Sequence, residues 1–562
     1  MNIDKKNIYP STYDWIIIDN NLSFNEPGYK LIFENKKYNI YTNAIFINNP
    51  KENKIMFGNI YRSNLNDSKG INNIKGYYTE ICFEGEIIEI ENDFWGVSKF
   101  FYTHCEPIII SSRIDFITKY KKISIDNESV ILYLLFNYNI LGKTILKNIF
   151  YSEQGTKLII NNSGIIISKN NCEEENLKIN KNKINNASVE DLSTLWRKSL
   201  INILHSFNNH KIGLTLTGGF DSRLILSGLV KEEIFPNTYT FGNRNSMDAK
   251  TAEHISKVLK INYRKINFNY LSPDETNDSL KQLVYSSDGL LNPFRMLRIN
   301  AIIEMMKDCD LLLLGYAGSE IFRGIFPDGL LLSDFYINLI KHKTTSSNEI
   351  IQFLKKFEVI FEEKDINGVN IIIQNNLDYF EPYNYMRNVI IPMHFGEDLR
   401  LLNRLGYHCY SPYMDSEFYS FALYNGYVPL FENNENYKIK NNHYKRIDNP
   451  KTSVRMLKYL DKRLFNLNLN RGYSPRDYDF SKYYAGIKLT THNILKTQNA
   501  PVTQLNPWLN IFFKEYFPWN DIWLNLNVKK LKENLDKNPV SEYDFIPWIK
   551  LWTLNEIVKS HK

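Results

Sequence analysis

Leu214-Thr215-Leu216-Thr217-Gly218-Gly219-Phe220-Asp221-Ser222-Arg223 joins a short apolar run to a helix-forming one through a hydroxyl-Gly-Gly turn that ends in a carboxylate. Adjacent glycines let the backbone bend sharply and aim its N–H groups at an anion. Thr217 and Ser222 add hydroxyl donors where the next helix begins. A helix from about Ser222 to Leu229 would turn its positive end toward the same point, so the chemistry is phosphate binding. Asp221 would repel a phosphate unless a divalent cation lay between them, and it reads as a magnesium ligand. The loop is not the Gly-x-x-x-x-Gly-Lys type, and no such string occurs in the chain.

The flanking pattern predicts what positions this loop. Ile212–Leu216, Asn237–Gly242 and Asp310–Gly315 read as strands, with helices at about Asp248–Leu259 and Ile302–Met306 between them. Apolar strands alternating with helices predict a parallel sheet covered on both faces. Ligands bind at the carboxyl ends of such strands, which places three loops on one rim: Thr217–Ser222, Gly242–Asp248 and Gly315–Glu320. Asp248 fits either a contact to the bound group or a helix N-cap.

Before this region the period is different. Trp15–Ile18, Lys30–Phe33, Ile55–Tyr61, Tyr77–Phe83, Ile87–Ile90, Phe100–Thr103, Pro107–Ser111 and Lys157–Ile160 read as short strands of a sandwich, interrupted by one helix at Ser129–Tyr138. The Asn-, Lys- and Glu-rich stretch between Asn170 and Ser188 is linker chemistry. Residues 340–562 read as largely helical.

Composition excludes several classes. The 562 residues are 43% hydrophobic with a net charge of +6, and basic residues are scattered among acidic ones, without the basic footprint of a nucleic-acid binder. Cys82, Cys105, Cys172, Cys309 and Cys409 form no Cys-x-x-Cys pair, which argues against a zinc or redox motif. His254, His394 and His408 lack metal-ligand spacing. No stretch approaches a membrane span, and the expected location is the cytoplasm.

The 217–222 loop resembles the pyrophosphate loop of the N-type ATP pyrophosphatases, Ser-Gly-Gly-x-Asp-Ser, with Thr217 in place of the first Ser. Over most of its length the chain resembles the asparagine synthetase family. Further anchors are Tyr239-Thr240-Phe241-Gly242, Leu314–Phe322, Ser411-Pro412-Tyr413-Met414-Asp415, Gly76-Tyr77-Tyr78, Asp93-Phe94-Trp95-Gly96 and Ser111-Ser112-Arg113. The resemblance implies a mixed α/β and α+β protein: a degenerate Ntn-type, glutaminase-like sandwich over residues 1–175, then a parallel-sheet PP-loop synthetase domain over 188–562 with a helical C-terminal part.

Glutamine-using members carry a cysteine directly after the initiator methionine, where this chain has Asn2. The implied activity is therefore an ATP-dependent, AMP-forming amide ligase without glutamine hydrolysis, like the β-lactam synthetases and lasso-peptide cyclases. Its cofactors would be ATP and Mg²⁺. Its substrate would carry a carboxylate and an amine, and for macrolactam closure it would be a precursor peptide handled with a leader-processing protease. An ammonia-using amide synthase of surface-glycan assembly and a non-catalytic nucleotide-binding scaffold are the alternatives. By the resemblance, Leu216, Thr217, Gly218, Gly219, Asp221, Ser222, Phe241, Gly242 and Gly315 hold ATP.

Tyr316 stands where β-lactam synthetases have a tyrosine paired with a glutamate, and Glu349 and Glu397 are candidates for that partner. Ser319 stands at the family's second magnesium-ligand position, leaving Glu320 as its substitute. Asn470 stands at the transition-state lysine, with Arg471 beside it.

Overall fold

The computed structural model describes residues 14–43, 47–49, 53–62, 74–161, 164–169, 187–207, 211–242, 246–267, 273–323, 333–428, 438–440, 443–445, 450–497, 505–518, 524, 526–536 and 545–561. Asn2 and most of the expected linker lie outside them.

The described chain opens with antiparallel strands β1 (Trp15–Asp19), β2 (Lys30–Glu34), β3 (Tyr38–Thr42), β4 (Ile47–Asn49), β5 (Lys54–Arg62), β6 (Ile74–Glu84), β7 (Ile87–Asn92), β8 (Phe101–Tyr102), β9 (Ile109–Ser111), β10 (Phe150–Tyr151), β11 (Thr156–Asn161) and β12 (Gly164–Lys169). They form two six-stranded sheets, in the orders β10-β8-β9-β1-β3-β2 and β12-β11-β7-β6-β5-β4. Period-2 alternation sends Trp15, Ile17, Ile40 and Ile110 of the first sheet against Ile81, Phe83, Ile88, Ile90, Leu158 and Ile160 of the second. The expected helix at Ser129–Tyr138 is Asn127–Phe136. It stops early because Asn137 adopts a left-handed conformation at φ 70° that ends the turn.

The second half holds a parallel sheet of β13 (Ile212–Thr215), β14 (Asn237–Phe241), β15 (Tyr263–Ile266), β16 (Leu311–Leu313) and β17 (His408–Tyr410), in the order β15-β14-β13-β16-β17. The chain leaves β13 toward one edge and returns to its other side at β16. A crevice therefore opens at the carboxyl ends of β13 and β16, where the winding reverses.

Helices fix β13 and its loop in place. Val189–His205 starts at Ser188 with a reciprocal capping box to Asp191 and packs on the helix Asp221–Lys231. A Cβ at Gly228 would fall 2.4 Å from the end of the Leu200 side chain, so a larger residue there would have to push Leu200 aside. Trp196 fills the same seam against Tyr413 and Phe418, at 4.6 and 4.8 Å between ring centroids.

One hydrophobic core runs from the outer face of β1 (Ile16, Ile18) through the parallel sheet. The sandwich is also tied on by polar contacts. Trp95 donates to the Met414 carbonyl at 2.7 Å, and the Tyr61 hydroxyl to Asp415 at 2.8 Å. Asp288 accepts from the Ile114 amide, Arg400 and Arg404 at 3.1, 3.0 and 2.7 Å. Burial alone would raise this carboxyl, but Arg404, Arg400 and Arg113 outweigh it and hold it at about 2. Among the described residues no helix is long and apolar enough to cross a membrane.

Candidate functional site

The expected loops Thr217–Ser222 and Gly315–Glu320 leave β13 and β16, adjacent strands of the sheet, so they share one rim; of the third, Gly242–Asp248, residues 243–245 lie outside the described residues. After β13 the Ser222 hydroxyl accepts from the Thr217 amide at 3.0 Å, lies 3.2 Å from the Thr217 hydroxyl and closes the turn. Asp221 opens the helix at its positive end. Both backbone groups of Leu216 pair with β14: its N–H with the Tyr239 carbonyl at 2.7 Å and its C=O with the Thr240 hydroxyl at 2.6 Å. That leaves one lone pair on the Leu216 carbonyl for a ligand. Phe241 and Gly242 end β14 half-buried, with Gly242 at φ +128°. Gly315 abuts the helix start, since a Cβ there would lie 3.3 Å from the Ser222 nitrogen.

Asp248 is not the cap of its helix. Ser246 caps Met247–Leu259 by accepting from the Ala249 amide, which leaves Asp248 in the first turn to reach across the rim. Its Oδ1 accepts from the Gly218 amide at 2.9 Å and from the Asn470 amide group at 2.8 Å. The Asn470 backbone N–H donates to the Gly218 carbonyl at 3.1 Å, and a Cβ on Gly218 would strike Asn470 at 2.4 Å. Asn470 itself thus closes over the glycine turn. Arg471 follows it, half-buried, in a turn that Gly472 completes at φ +82°.

Arg223 holds that late loop down. It is fully buried and donates to the carbonyls of Leu464, Leu467 and Asn468 at 3.1, 2.6 and 2.8 Å. Burial pulls its guanidinium down to about 9. The motif residue after Ser222 therefore clamps the segment that carries Asn470 and Arg471, a role that its place in the string does not reveal.

Magnesium is the ion Asp221 implies. Ser319 donates to Asp221 Oδ2 at 2.7 Å, and Glu320, 7% exposed, lies in the first turn of the helix Gly318–Arg323. A Cβ on Gly318 would meet Asp221 Cβ at 3.0 Å, so this turn packs directly on the phosphate loop. Among the described residues no group of three or more His, Cys, Asp or Glu side chains could hold a metal. One carboxylate beside a hydroxyl at a helix start nevertheless fits magnesium, which takes one or two carboxylates and fills its octahedron with other oxygens and water.

On the β16 side the Tyr316 hydroxyl donates to Asp398 Oδ2 at 3.0 Å. Neither expected glutamate is its partner. Glu349 is exposed and completes the capping box of Ser346, and Glu397 is buried between Lys99 and Arg400 at 2.8 and 2.9 Å. Asp398 follows Glu397 on the helix Gly396–Arg404 and points elsewhere, about 100° around the axis. A ten-residue π-helix, Met386–Phe395, with Pro392 inside it, runs straight into this helix. Proline removes one donor and widens the turn, and such turns cluster at functional positions. Burial, then Asp398, pushes the Tyr316 phenol up, while Arg298 and Arg295 partly oppose it, so the phenol is protonated at neutral pH. Ser411 secures the strand exit through the Tyr316 carbonyl at 2.7 Å, and Tyr413 does so through the Asp221 carbonyl at 2.9 Å.

Elsewhere, Cys82 on β6 is pushed up to about 11 by burial and by Glu80, which suits a packed thiol and not a nucleophile.

No family model matches the chain, and no curated protein matches it. Among solved structures it is similar to an NMN synthetase from Francisella tularensis, at 16% identity and a TM-score of 0.20, over 34% of this chain and 95% of that one. It is similar to the glutamine phosphoribosylpyrophosphate amidotransferase from B. subtilis complexed with ADP and GMP, at 9% identity and a TM-score of 0.16, over 46% and 60%. It is also similar to a structure titled the allosteric regulatory enzyme of purine biosynthesis, at 10% identity and a TM-score of 0.17, over 62% and 83%.

Proposed function

We propose that the protein is an ATP-dependent, AMP-forming amide ligase. It would consist of a sandwich without glutaminase activity (1–175) and a ligase unit (188–562), and it would act on a substrate that brings its own amine. The observation that carries this reading is the pairing of the two loops at the switch of the parallel sheet. The hydroxyl-Gly-Gly-x-Asp-Ser turn leaves β13, and a tyrosine bonded to a buried aspartate leaves β16 beside it.

Thr217, Gly218, Gly219 and Ser222 would receive the β and γ phosphates, with Phe241, Gly242 and Gly315 along the nucleoside. Asp221, with Glu320 near it, would hold magnesium, which neutralises phosphate charge when bound. Arg471 would face the leaving pyrophosphate. The substrate carboxylate attacks the α-phosphorus, pyrophosphate leaves, and the amine then attacks the acyl carbon. Tyr316 would take that amine's proton while passing its own to Asp398, and AMP would leave the acyl carbon as the amide forms. Within this class we favour lactam or macrolactam closure, as on a precursor peptide, over ammonia-dependent amidation.

Exchange of labelled pyrophosphate into ATP, driven by carboxylic acids and carboxyl-bearing peptides, tests the reading. Acid-dependent exchange is expected. ATP turnover to ADP and phosphate, or exchange that no acid stimulates, would contradict it.

A specific observation favours a second reading, a non-catalytic nucleotide-binding or scaffolding subunit that has lost the metal site. The Gly218 N–H is already satisfied by Asp248, and Asp221 by Ser319. On that reading D221N would leave the protein's cellular role intact.

A further inference from the structure

The net charge of the chain is concentrated in one stretch. Residues 451–488 hold nine Lys and Arg against three Asp, a net of +6 that equals the net charge of all 562 residues. The three acids are paired within the stretch: Asp461 with Arg463, Asp477 with Lys488 and Asp479 with Lys458, at 2.7, 3.0 and 2.8 Å. On the helix Lys451–Leu460, Lys451, Arg455, Lys458 and Tyr459 recur at helical spacing and share one exposed face.

The same stretch exposes large apolar side chains. Phe480 ends the helix Pro475–Phe480 at 83% exposure, and the helix Lys482–Thr497 continues with Tyr483 at 76%, Tyr484 at 43% and Ile487 at 65%. These side chains form one patch: the Phe480 and Tyr484 rings meet edge-on at 6.2 Å, and Ile487 lies one turn from Tyr483. Cations rim it. Lys482 Nζ stands 5.3 Å from the Tyr483 ring centroid, and Lys488 Nζ 4.9 Å from that of Tyr484. The pair between Lys458 and Asp479 joins the basic face of the earlier helix to the patch beside Phe480. The other side of the later helix is anchored: a Cβ on Gly472 would lie 2.6 Å from His492, so that helix rests on the turn that carries Asn470 and Arg471.

We propose that this face docks on an anionic lipid surface. Phe480, Tyr483, Tyr484 and Ile487 enter the headgroup region, and Arg455, Lys458, Lys482 and Lys488 meet lipid phosphates. Phe480, Tyr483 and Ile487 protrude, whereas a peptide groove would bury them between its walls. A second copy of this face would set like charges against one another. Nucleic acid would pair with the cations and stack on the rings but leave Ile487 in water. A bilayer surface meets both needs, with an apolar boundary for the tips and anionic headgroups for the rim. The inference does not depend on the ligase reading; it brings the Asn470-Arg471 turn, and with it the candidate site, to the membrane surface.

Vesicle co-sedimentation of the full-length protein is the test. Phosphatidylcholine vesicles with about a quarter phosphatidylglycerol are compared with pure phosphatidylcholine, at about 0.05 and 0.5 M salt. The protein should bind the anionic vesicles at low salt, bind them about tenfold or more weakly at high salt, and ignore the neutral ones. F480S/Y483S/I487S and, separately, R455E/K482E should each cut binding about tenfold or more. Unfolding midpoints show that each variant folds, and either alone is decisive. No binding to anionic vesicles, or binding that survives in a folded variant, would overturn the proposal. So would binding of poly-L-glutamate or single-stranded DNA but not of vesicles, which would assign the face to an acidic peptide or to nucleic acid. A dimer in analytical ultracentrifugation that F480S/Y483S/I487S dissolves would overturn it too, by assigning the face to a second copy.

Discussion

The two sides of the crevice are built on opposite plans. On the β13 side the polar groups satisfy one another: Asp248 takes the Gly218 amide, Asn470 takes Asp248, and Ser319 takes Asp221. On the β16 side charge is left over, with Arg295 and Arg298 both facing Asp398. On the proposed function, a phosphate at the first side would displace Asp248 from its two donors. The 217–222 turn is thus closed by the protein's own groups, whereas the Tyr316 side gathers two guanidiniums on one carboxylate.

Breaking the amine side should cost most. Y316F and D398N should lower amide formation about 10²–10⁴-fold, the usual weight of a positioned proton-transfer group. Both should spare pyrophosphate exchange, because adenylation precedes their step. Equal losses in exchange and amide formation would place the pair in nucleotide binding. D288N, away from both loops, should destabilise the fold by about 1–3 kcal/mol, read as a fall in unfolding midpoint, because Arg400 and Arg404 lose one buried partner while keeping Glu397 and Asp14.

The same carboxyl sets an acid limit. Its folded value of about 2 lies below the ordinary aspartate value of about 3.9. Its stabilisation is therefore complete above about pH 4 and is lost as pH falls toward 2, a loss that D288N should not show. The smallest effect sharpens the comparison most. D248A should tighten ATP binding a few-fold, by about 0.5–1.5 kcal/mol, by freeing the Gly218 amide. Weaker binding in calorimetry would make Asp248 a ligand-holding group instead.

The parts legible in the sequence are those written in contiguous residues. The loop 217–222 and the strand before it follow from an apolar run and a glycine turn, and eight of the twelve described sandwich strands from short apolar runs, while β3, β4, β10 and β12 escape that reading. Strands β15 (Tyr-Arg-Lys-Ile) and β17 (His-Cys-Tyr) escaped because short edge strands carry polar residues and no run long enough to show a period. Asp398 lies 82 residues from Tyr316, and only the π-helix and the turn of its own helix bring it there. A local signal could have excluded Glu349, since Ser346-Ser347-Asn348-Glu349 spells a capping box. The same kind of signal marks Ser246, two residues before Asp248, as the cap. No local pattern assigns Arg223 to three carbonyls some 240 residues onward, which only the folded chain supplies.

Calorimetric titration of ATP into the full-length protein, with and without magnesium and beside D221N, tests the central claim most directly. Magnesium-dependent binding that D221N abolishes is the result the account predicts. Binding indifferent to magnesium and to Asp221, or no binding at all, would contradict it and leave the closed phosphate loop as the mark of a scaffold.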